Sequence, residues 1–296
     1  MKLLVTGAAG EFGRDLVPWL AQRYEVRATD IVDTQAPCEF VRADLRDPDQ
    51  VKGLVEGIDA VIHLAVLLPF EYPTTDFVDV NVKASTLLCE AAVGARVSRM
   101  VYVSTVWATG HGTQEGYLPV DENAPWAPIE MYGLTKLQGE LSAEYFARLS
   151  GLSTLVLRMC GYGRCPEVGP DGSVDLASAD LGSLAQFALR PGQKLWNPND
   201  LGSIMDAAVM LQGTSFERII VGNALPWKAE DAAELAADPA AVVERYYPGA
   251  GELLEAHDVA LPPIEFYYST ARARSLLGFR QQYTMSDLIA AHARRA

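Results

Sequence analysis

Residues Thr6–Gly13 read T-G-A-A-G-E-F-G, and this stretch decides the fold. It follows the apolar run Leu3–Val5 and precedes Arg14–Leu20, where apolar residues recur at helical spacing. A strand, a glycine-rich turn and a helix are therefore predicted in succession. Glycines keep such a turn tight and let its backbone approach a ligand, and free N–H groups at the helix start can hold a pyrophosphate. The residues expected to contact a dinucleotide here are Gly7, Ala9, Gly10, Glu11, Phe12 and Gly13.

The first 160 residues alternate short apolar runs with longer amphipathic segments, the pattern of βαβ units in a parallel sheet. The predicted strands are Lys2–Val5, Glu25–Thr29, Glu39–Arg42, Ala60–Leu64, Met100–Ser104 and Ser153–Leu157. The predicted helices are Gly13–Gln22, Pro48–Val55, Thr75–Ala95 and Met131–Leu149. Later in the chain the alternation stops, and the predicted elements are helices at Leu181–Ala188, Asp200–Leu211 and within Glu230–Tyr247 and a strand at Arg218–Val221. We therefore expect an α/β protein.

A second motif, Tyr132-Gly133-Leu134-Thr135-Lys136, indicates the chemistry. Its phenol and its ammonium lie four residues apart, which places them on one face of a helix. A free tyrosine has a pKa of about 10 and is a poor base at neutral pH. A neighbouring ammonium favours the phenolate, so Lys136 would lower the pKa of Tyr132 and fit it for proton transfer at a secondary alcohol.

With both motifs, the chain resembles the extended short-chain dehydrogenase/reductase family, the NAD-dependent epimerase/dehydratase group. The resemblance is strong from Met1 to about Leu157 and weaker through Asp200-Leu201 and Ala273–Phe279. It implies a Rossmann-type doubly wound parallel sheet over residues 1–159, which binds NAD and carries the catalytic residues. It also implies a smaller C-terminal substrate-binding lobe over residues 160–296, with elements that return to the sheet. It also places Tyr132 and Lys136 among the cofactor contacts, and in the family the equivalent of Lys136 holds the nicotinamide ribose.

Further cofactor contacts are expected where the strands end. Asp30 closes the second strand, and a carboxylate there can accept both ribose hydroxyls and would repel a 2′-phosphate, which favours NAD over NADP. A helix cap or turn aspartate is the alternative interpretation of Asp30. By the resemblance, Asp44-Leu45 contact the adenine, and the backbone of Leu64-Ala65 lines the cofactor. The preceding His63 is expected to be a hydrogen-bonded, partly buried residue.

The segment Val101–Gly110 is similar to the serine-rich strand end of the family. Counting back from Gly110 places Thr105 on the catalytic serine/threonine position, where it would bind the reacting oxygen. Ser104 takes this position if the register differs by one residue. Trp107 is a candidate for the wall of the substrate pocket, or it packs a loop. Arg164 is a candidate ligand for a substrate carboxylate, or it is solvated.

Departures from the family pattern bear on the substrate. Family dehydratases carry an Asp-Glu pair after the catalytic threonine, whereas this chain has Val106 and Trp107, so a 4,6-dehydratase is disfavoured. The window Gln193–Asn199 lacks the arginine with which nucleotide-sugar members hold a diphosphate, and Lys194 would substitute only as a point charge. These gaps favour a free sugar, a sugar acid or another small secondary alcohol, and slightly favour a dehydrogenase or ketoreductase. The alternatives are a nucleotide-sugar epimerase with retained NAD and, in another class, a non-catalytic NAD(P)-sensing regulator.

Composition limits the partners and the compartment. The 296-residue chain has a formal net charge of -14, which argues against binding nucleic acid or anionic lipid. No apolar run reaches the roughly 18 residues that cross a membrane, and the early glycine turn leaves no room for a signal peptide. The four cysteines show no disulfide framework, and no histidine has metal-ligand spacing. They are Cys38, Cys89, Cys160 and Cys165. We expect a cytoplasmic enzyme without a metal.

The two long predicted helices, Thr75–Ala95 and Met131–Leu149, bear on the oligomeric state. In the family, the equivalent helices form a four-helix bundle between two subunits. The resemblance therefore implies a homodimer, although the residues alone equally permit a monomer.

Overall fold

The protein is built on one large sheet and one small one. The computed structural model describes residues 1–68, 72–110, 117–164, 169 and 173–295, without the side chains of residues 162–164, 193 and 195. The strands are β1 (Lys2–Thr6), β2 (Glu25–Asp30), β3 (Glu39–Arg42), β4 (Ala60–His63), β5 (Arg99–Thr105), β6 (Ser153–Met159), β7 (Gly161–Arg164), β8 (Gln193–Trp196) and β9 (Phe216–Val221). Seven of them form a sheet in the order β3-β2-β1-β4-β5-β6-β9, and β7 pairs with β8.

Helices connect these strands. They are α1 (Glu11–Ala21), α2 (Pro48–Leu54), α3 (Thr74–Phe77), α4 (Ala84–Gly94), α5 (Met131–Ser150), α6 (Leu181–Leu189), α7 (Pro198–Met210), α8 (Ala232–Ala237), α9 (Pro239–Tyr246), α10 (Ala250–Ala256), α11 (Ala271–Leu277) and α12 (Met285–Arg295). Short 3₁₀ turns lie at Val106–Thr109 and Ala229–Asp231. In the described ranges, no helix is both long enough and apolar enough to cross a bilayer.

The strand order confirms the predicted Rossmann-type α/β fold. β1 pairs in parallel with β2 on one side and with β4 on the other, so the order of the strands reverses between β1 and β4. The pairs β2–β3, β4–β5 and β5–β6 are parallel as well. In such sheets, ligands bind beyond the carboxyl ends of the strands at the point of reversal. The turn after β1 and the segment after β4 meet at this point.

The predicted helix Thr75–Ala95 is wrong in one respect, because it is not a single α-helix. A π-helix at Val78–Lys83 separates α3 from α4. Single wide turns of this kind often lie at functional sites. Here the wide turn carries Asn81, which is fully buried and hydrogen-bonds the backbone of Leu67 through both its amide nitrogen and its oxygen. The side chain thereby fixes the chain that leaves β4.

Two compact units have separate hydrophobic cores. The first consists of Met1–Gly110, Trp126–Met159 and Leu201–Ile219, and its core includes Leu4, Val61, Met100 and Leu88. The second consists of His111–Pro125, Cys160–Asp200 and Ile220–Ala296. Its core includes Leu184, Val243, Leu253, Tyr267 and Leu288.

A buried cluster of charged side chains fixes α5 on the sheet of the first unit. Glu140 of α5 is fully buried and accepts a hydrogen bond from Ser104 of β5 at 2.6 Å. Its carboxylate pairs with Arg158 of β6 at 2.8 Å and with Arg218 of β9 at 2.9 Å. Buried charges are tolerated only when they are paired and hydrogen-bonded. One carboxylate therefore connects three strands to the helix.

We expect Glu140→Gln to lower the free energy of unfolding by about 3 kcal/mol, because it leaves the buried guanidinium of Arg158 without its counter-charge, while Arg218 keeps Glu144 alone. Urea denaturation measures this loss. The matched control is Arg148→Gln on the same helix, whose partner is Glu144 and whose side chain is 74% exposed. This control should change stability by about 0.5 kcal/mol or less. Equal losses in the two variants would contradict the role given to Glu140.

Candidate active site

The glycine turn after β1 is packed on two sides and open on the third. Gly7 has φ +73°, and a Cβ there would lie 2.6 Å from the Ala65 backbone nitrogen. A Cβ on Gly13 would lie 2.3 Å from the Gly7 carbonyl oxygen. At Gly10, by contrast, a Cβ would meet only that same oxygen, at 3.3 Å. The open space at Gly10 fits the close approach of a pyrophosphate.

Helix α1 begins directly at this opening. Gly10 is its N-cap residue, and no side chain caps the helix there. The first N–H groups of a helix have no partner within it, so they can bind an anion. Ala9, Glu11 and Phe12 surround the same turn. The local geometry therefore suits the predicted dinucleotide contacts.

Asp30 at the end of β2 is tied to the glycine turn. One carboxylate oxygen accepts a hydrogen bond from the Ala9 N–H at 3.0 Å, and the other accepts from the Val32 N–H at 3.1 Å. The second bond is that of a turn aspartate, which was the alternative interpretation. A carboxylate has about four acceptor positions, so these bonds leave capacity for ribose hydroxyls.

The other predicted cofactor residues differ in their surroundings. The Leu64 N–H donates to the Thr6 carbonyl, and the Ala65 N–H donates to the Thr6 hydroxyl, each at 3.2 Å, so both lie beside the turn. Asp44 forms a hydrogen-bonded ion pair with Arg46, in which Nη2 lies 2.6 Å from Oδ2. The hydrogen bond from Arg46 holds the pKa of Asp44 below its usual range. The neighbouring Leu45 is buried. The adenine role of Asp44 and Leu45 remains a prediction.

The predicted catalytic tyrosine stands in the first turn of α5. The carboxylate of Glu130 caps this helix and accepts from the Tyr132 N–H at 2.7 Å and from the Gly133 N–H at 2.6 Å. Burial raises the pKa of Tyr132 to about 12, and a hydrogen bond with Thr105 acts in the opposite direction. The ring of Trp107 packs edge-on against Tyr132, with centroids 5.7 Å apart.

The two adjacent hydroxyls at the end of β5 have different partners. Thr105 hydrogen-bonds Tyr132, and its Oγ1 also accepts from the Trp107 N–H at 3.2 Å. Ser104 is buried and donates to Glu140, as described above. Thr105 is thus the hydroxyl that stands next to the tyrosine.

Lys136 lies one helical turn beyond Tyr132 and is fully buried. Burial lowers the pKa of its ammonium to about 7, and the charge of Glu140 one turn further along opposes this shift. Perturbed pKa values of this kind are frequent at catalytic sites. Close to neutral pH, the amine can therefore change its charge.

A chain of hydrogen bonds that the sequence did not reveal joins the glycine turn to α5. His63 is fully buried between the Thr6 hydroxyl at 2.7 Å and the Ser85 hydroxyl at 2.9 Å, as expected for a hydrogen-bonded residue. Burial, and then the charge of Lys136, lower the pKa of His63 to about 3, so the ring is neutral. The Ser85 hydroxyl donates to the Asn81 carbonyl at 2.8 Å, and the Asn81 amide donates to the Thr135 hydroxyl at 3.1 Å.

Some predicted residues lie outside the described part of the chain. Arg164 ends β7, but its side chain is not described, and Cys165 is not described at all. The cysteines that are described, Cys38, Cys89 and Cys160, are free thiols. Among the described residues, no group of three or more histidine, cysteine, aspartate or glutamate side chains is arranged to hold a metal ion.

Comparison with known proteins agrees with this geometry. Residues 3–167 match the NAD dependent epimerase/dehydratase family. An L-arabinose 1-dehydrogenase (NAD(P)⁺) from Haloferax volcanii is 31% identical over 53% of this chain and 66% of its own length. A uronate dehydrogenase from Pseudomonas putida is 31% identical over 53% of this chain and 60% of its own. The solved UDP-N-acetylglucosamine 4-epimerase from Bacillus cereus is 19% identical over the whole of both chains, with a TM-score of 0.68.

The family model covers more than half of the chain, and the chain belongs to the NAD-dependent epimerase/dehydratase family. This membership confirms the predicted family, the predicted class of enzyme and the predicted cofactor. The matched region spans about two thirds or less of the length of the two dehydrogenases. The structural likeness to the epimerase, at 19% identity, supports the fold alone.

We expect Gly10→Val to weaken NAD binding about tenfold or more, because its side chain fills the space that a pyrophosphate would take. The backbone at Gly10 is extended, with φ -70°, so the fold should tolerate the change. Titration calorimetry measures the affinity, and thermal unfolding checks the fold. Gly53→Ala is the control, since a Cβ there would meet nothing within 4 Å. Unchanged NAD affinity in Gly10→Val would contradict this location for the pyrophosphate.

Proposed function

We propose that this protein is an NAD-dependent oxidoreductase that transfers hydride at a secondary alcohol or ketone of a sugar or sugar acid. The observation that carries the proposal is the placement of Thr105, Tyr132 and Lys136 in one compact unit with the glycine turn. The family relation supports the cofactor, and the uronate and arabinose dehydrogenases among the relatives support the substrate class.

In the proposed mechanism, Tyr132 exchanges the proton. Its phenol removes the hydroxyl proton of the substrate in oxidation and returns it in reduction. Lys136 lowers the free energy of the phenolate while its ammonium is charged. Thr105 donates a hydrogen bond to the reacting oxygen. NAD supplies the hydride acceptor or donor.

Two features of the chain favour a substrate without a nucleotide. Val106 and Trp107 follow Thr105 and cannot transfer the proton that a dehydratase must move. Lys194, the substitute for a diphosphate-binding arginine, is buried and pairs with Asp200 at 2.5 Å. Its ammonium also lies 4.6 Å from the ring centroid of Trp196. A lysine bound in this way is poorly placed to hold a diphosphate.

We further infer that residues 160–296 supply most of the substrate lobe, with Arg164 as a carboxylate ligand and Trp107 as a wall. The substrate would then be a small molecule rather than a macromolecule. The free thiols of Cys38, Cys89 and Cys160 support a location in the reducing cytoplasm.

We expect Tyr132→Phe to lower kcat about a hundredfold or more and to change NAD affinity much less, because the ring stays and only the hydroxyl that transfers the proton is lost. Thr105→Ala should lower kcat about tenfold or more. Reduction of NAD with a panel of uronates, aldoses and UDP-sugars, followed by absorbance, measures the activity. Thr105→Val removes the hydroxyl but keeps the shape of threonine, so it controls for the packing that Thr105→Ala loses. Full turnover in Tyr132→Phe would overturn the mechanism.

The alternative is an epimerase that retains its cofactor, and it needs the same three residues. Denaturing the purified protein and measuring the released dinucleotide separates the two. Near-stoichiometric NAD would support the epimerase, and reversible binding of added NAD would support the dehydrogenase. A non-catalytic NAD(P) sensor would show binding without turnover on any substrate.

The exposed face of α5 supports a homodimer. Leu134, Leu141, Tyr145 and Leu149 are exposed, and their spacing places them along one side of the helix. Apolar side chains concentrated in this way mark interaction surfaces. The resemblance implies that a second copy of this chain packs against this face of α5.

We expect the wild-type protein to have twice the mass of one chain by light scattering. Replacing Tyr145 and Leu149 with lysine should give monomers, because two charges would enter the apolar contact on each side. Met210→Lys, at an exposed position on α7, is the control for added charge alone. A wild-type monomer would contradict the homodimer and would leave the proposed chemistry intact.

A further inference from the structure

The ammonium of Lys136 rests on the face of an aromatic ring. Its Nζ lies 4.2 Å from the ring centroid of Tyr102. Tyr102 belongs to β5 and is fully buried. A cation within about 6 Å of a ring centroid is attracted by the negative face of the ring, and the attraction is stronger away from water. Both partners here are removed from solvent.

Helix α5 is shaped to receive this ring. A Cβ on Gly139 would lie 2.0 Å from the hydroxyl oxygen of Tyr102 and 2.8 Å from its Cζ. Any other residue at position 139 would therefore push the ring away from its place. On the neighbouring strand β4, His63 packs against the ring of Tyr102, with centroids 5.4 Å apart. The ring is thus held from the helix and from β4.

The charged and titratable groups around the ammonium and the ring come from four elements. They are Tyr132 and Glu140 on α5, Tyr102 on β5, His63 on β4 and Cys89 on α4. Burial raises the pKa of Tyr102 well above its usual range, so its phenol stays neutral. Glu140 favours the charged lysine, but its own carboxylate already pairs with Arg158 and Arg218. Glu140 thus divides its attraction among three cations, whereas the ring of Tyr102 attracts the ammonium of Lys136 alone.

We propose that Tyr102 is a positioning residue for Lys136, whose charged ammonium it holds on its ring face at the place from which the ammonium acts on Tyr132. The proposal rests on the proposed function for the role of Lys136 in catalysis. The contact itself is independent of that role. The aromatic face matters, and the hydroxyl of Tyr102 does not.

The test follows the protonation of Lys136 directly, in the protein without NAD or substrate. Lysine labelled with ¹³C at Cε gives an NMR signal whose shift reports the charge of Nζ, and Lys136→Met assigns the signal. In Tyr102→Leu, the midpoint of the Lys136 titration should fall by about one pH unit, because a group that stabilises the charged form is lost. Tyr102→Phe keeps the ring and should keep the midpoint within about 0.3 pH units.

Gly139→Ala carries the same test if Tyr102→Leu does not fold. It changes no ionisable group, and its Cβ displaces the ring, so the midpoint should again fall. Adding Tyr102→Phe to Gly139→Ala removes the clashing hydroxyl and should restore part of the shift. A wild-type midpoint in the folded variants that lose or displace the ring would overturn the proposal. An equal shift in Tyr102→Phe would overturn it too, since the hydroxyl would then be responsible.

Activity separates this proposal from the proposed function. If Tyr102 acts as proposed, the alkaline limb of the kcat/KM profile should move to lower pH in Tyr102→Leu and stay in place in Tyr102→Phe. A shifted NMR midpoint together with full turnover in Tyr132→Phe would retain the ring contact and remove the proposed mechanism. An unmoved NMR midpoint together with an inactive Tyr132→Phe would remove the role of the ring contact and retain the proposed mechanism.

Discussion

The contact between α5 and the sheet depends on buried charge. Glu140 is neutralised by Arg158 and Arg218, and it reaches Ser104 as well. Apolar packing tolerates small shifts of a helix along a sheet, but a desolvated carboxylate with three fixed partners does not. Because Tyr132 and Lys136 lie on the same helix, their positions follow from this arrangement. The placement of these two side chains is thus a result of how the helix satisfies one charge.

Much of the sheet could be predicted from local sequence, because apolar runs and glycine turns report strands and their ends directly. The predicted strand that ends at Leu157 extends to Met159, and the ends of the other strands in residues 1–159 differ from the prediction by at most one residue. The π-helix at Val78–Lys83 could not be predicted, because its Asn81 bonds residues distant in sequence, Leu67 and Thr135, and no local pattern reports such contacts. β7 and β8 were missed, because short strands in a Gly- and Pro-rich segment show no clear period, and α10 and α12 nearer the C-terminus were missed as well.

The candidate site likewise has parts that the sequence predicts and parts that it does not. The glycine turn and the Tyr132–Lys136 pair are local patterns, and both were found in the sequence. The choice between Ser104 and Thr105 needed the structure, because it depends on which hydroxyl Glu140 engages. The contact of Tyr102 with Gly139 and Lys136 joins β5 to α5, and no spacing in the sequence reports it. Residues that act through packing across elements remain invisible to motif reading.

The order of the chain has a consequence for its synthesis. Arg218, which completes the neutralisation of Glu140, comes 78 residues after it. Between them the ribosome produces the first long segment of the second unit, Cys160–Asp200. Until β9 emerges, β6 is an open sheet edge, and edges of this kind pair readily with other chains. The nascent protein therefore passes through a stage at which its glycine turn has been synthesised and the sheet still lacks its last strand, with β6 open to pairing with other chains.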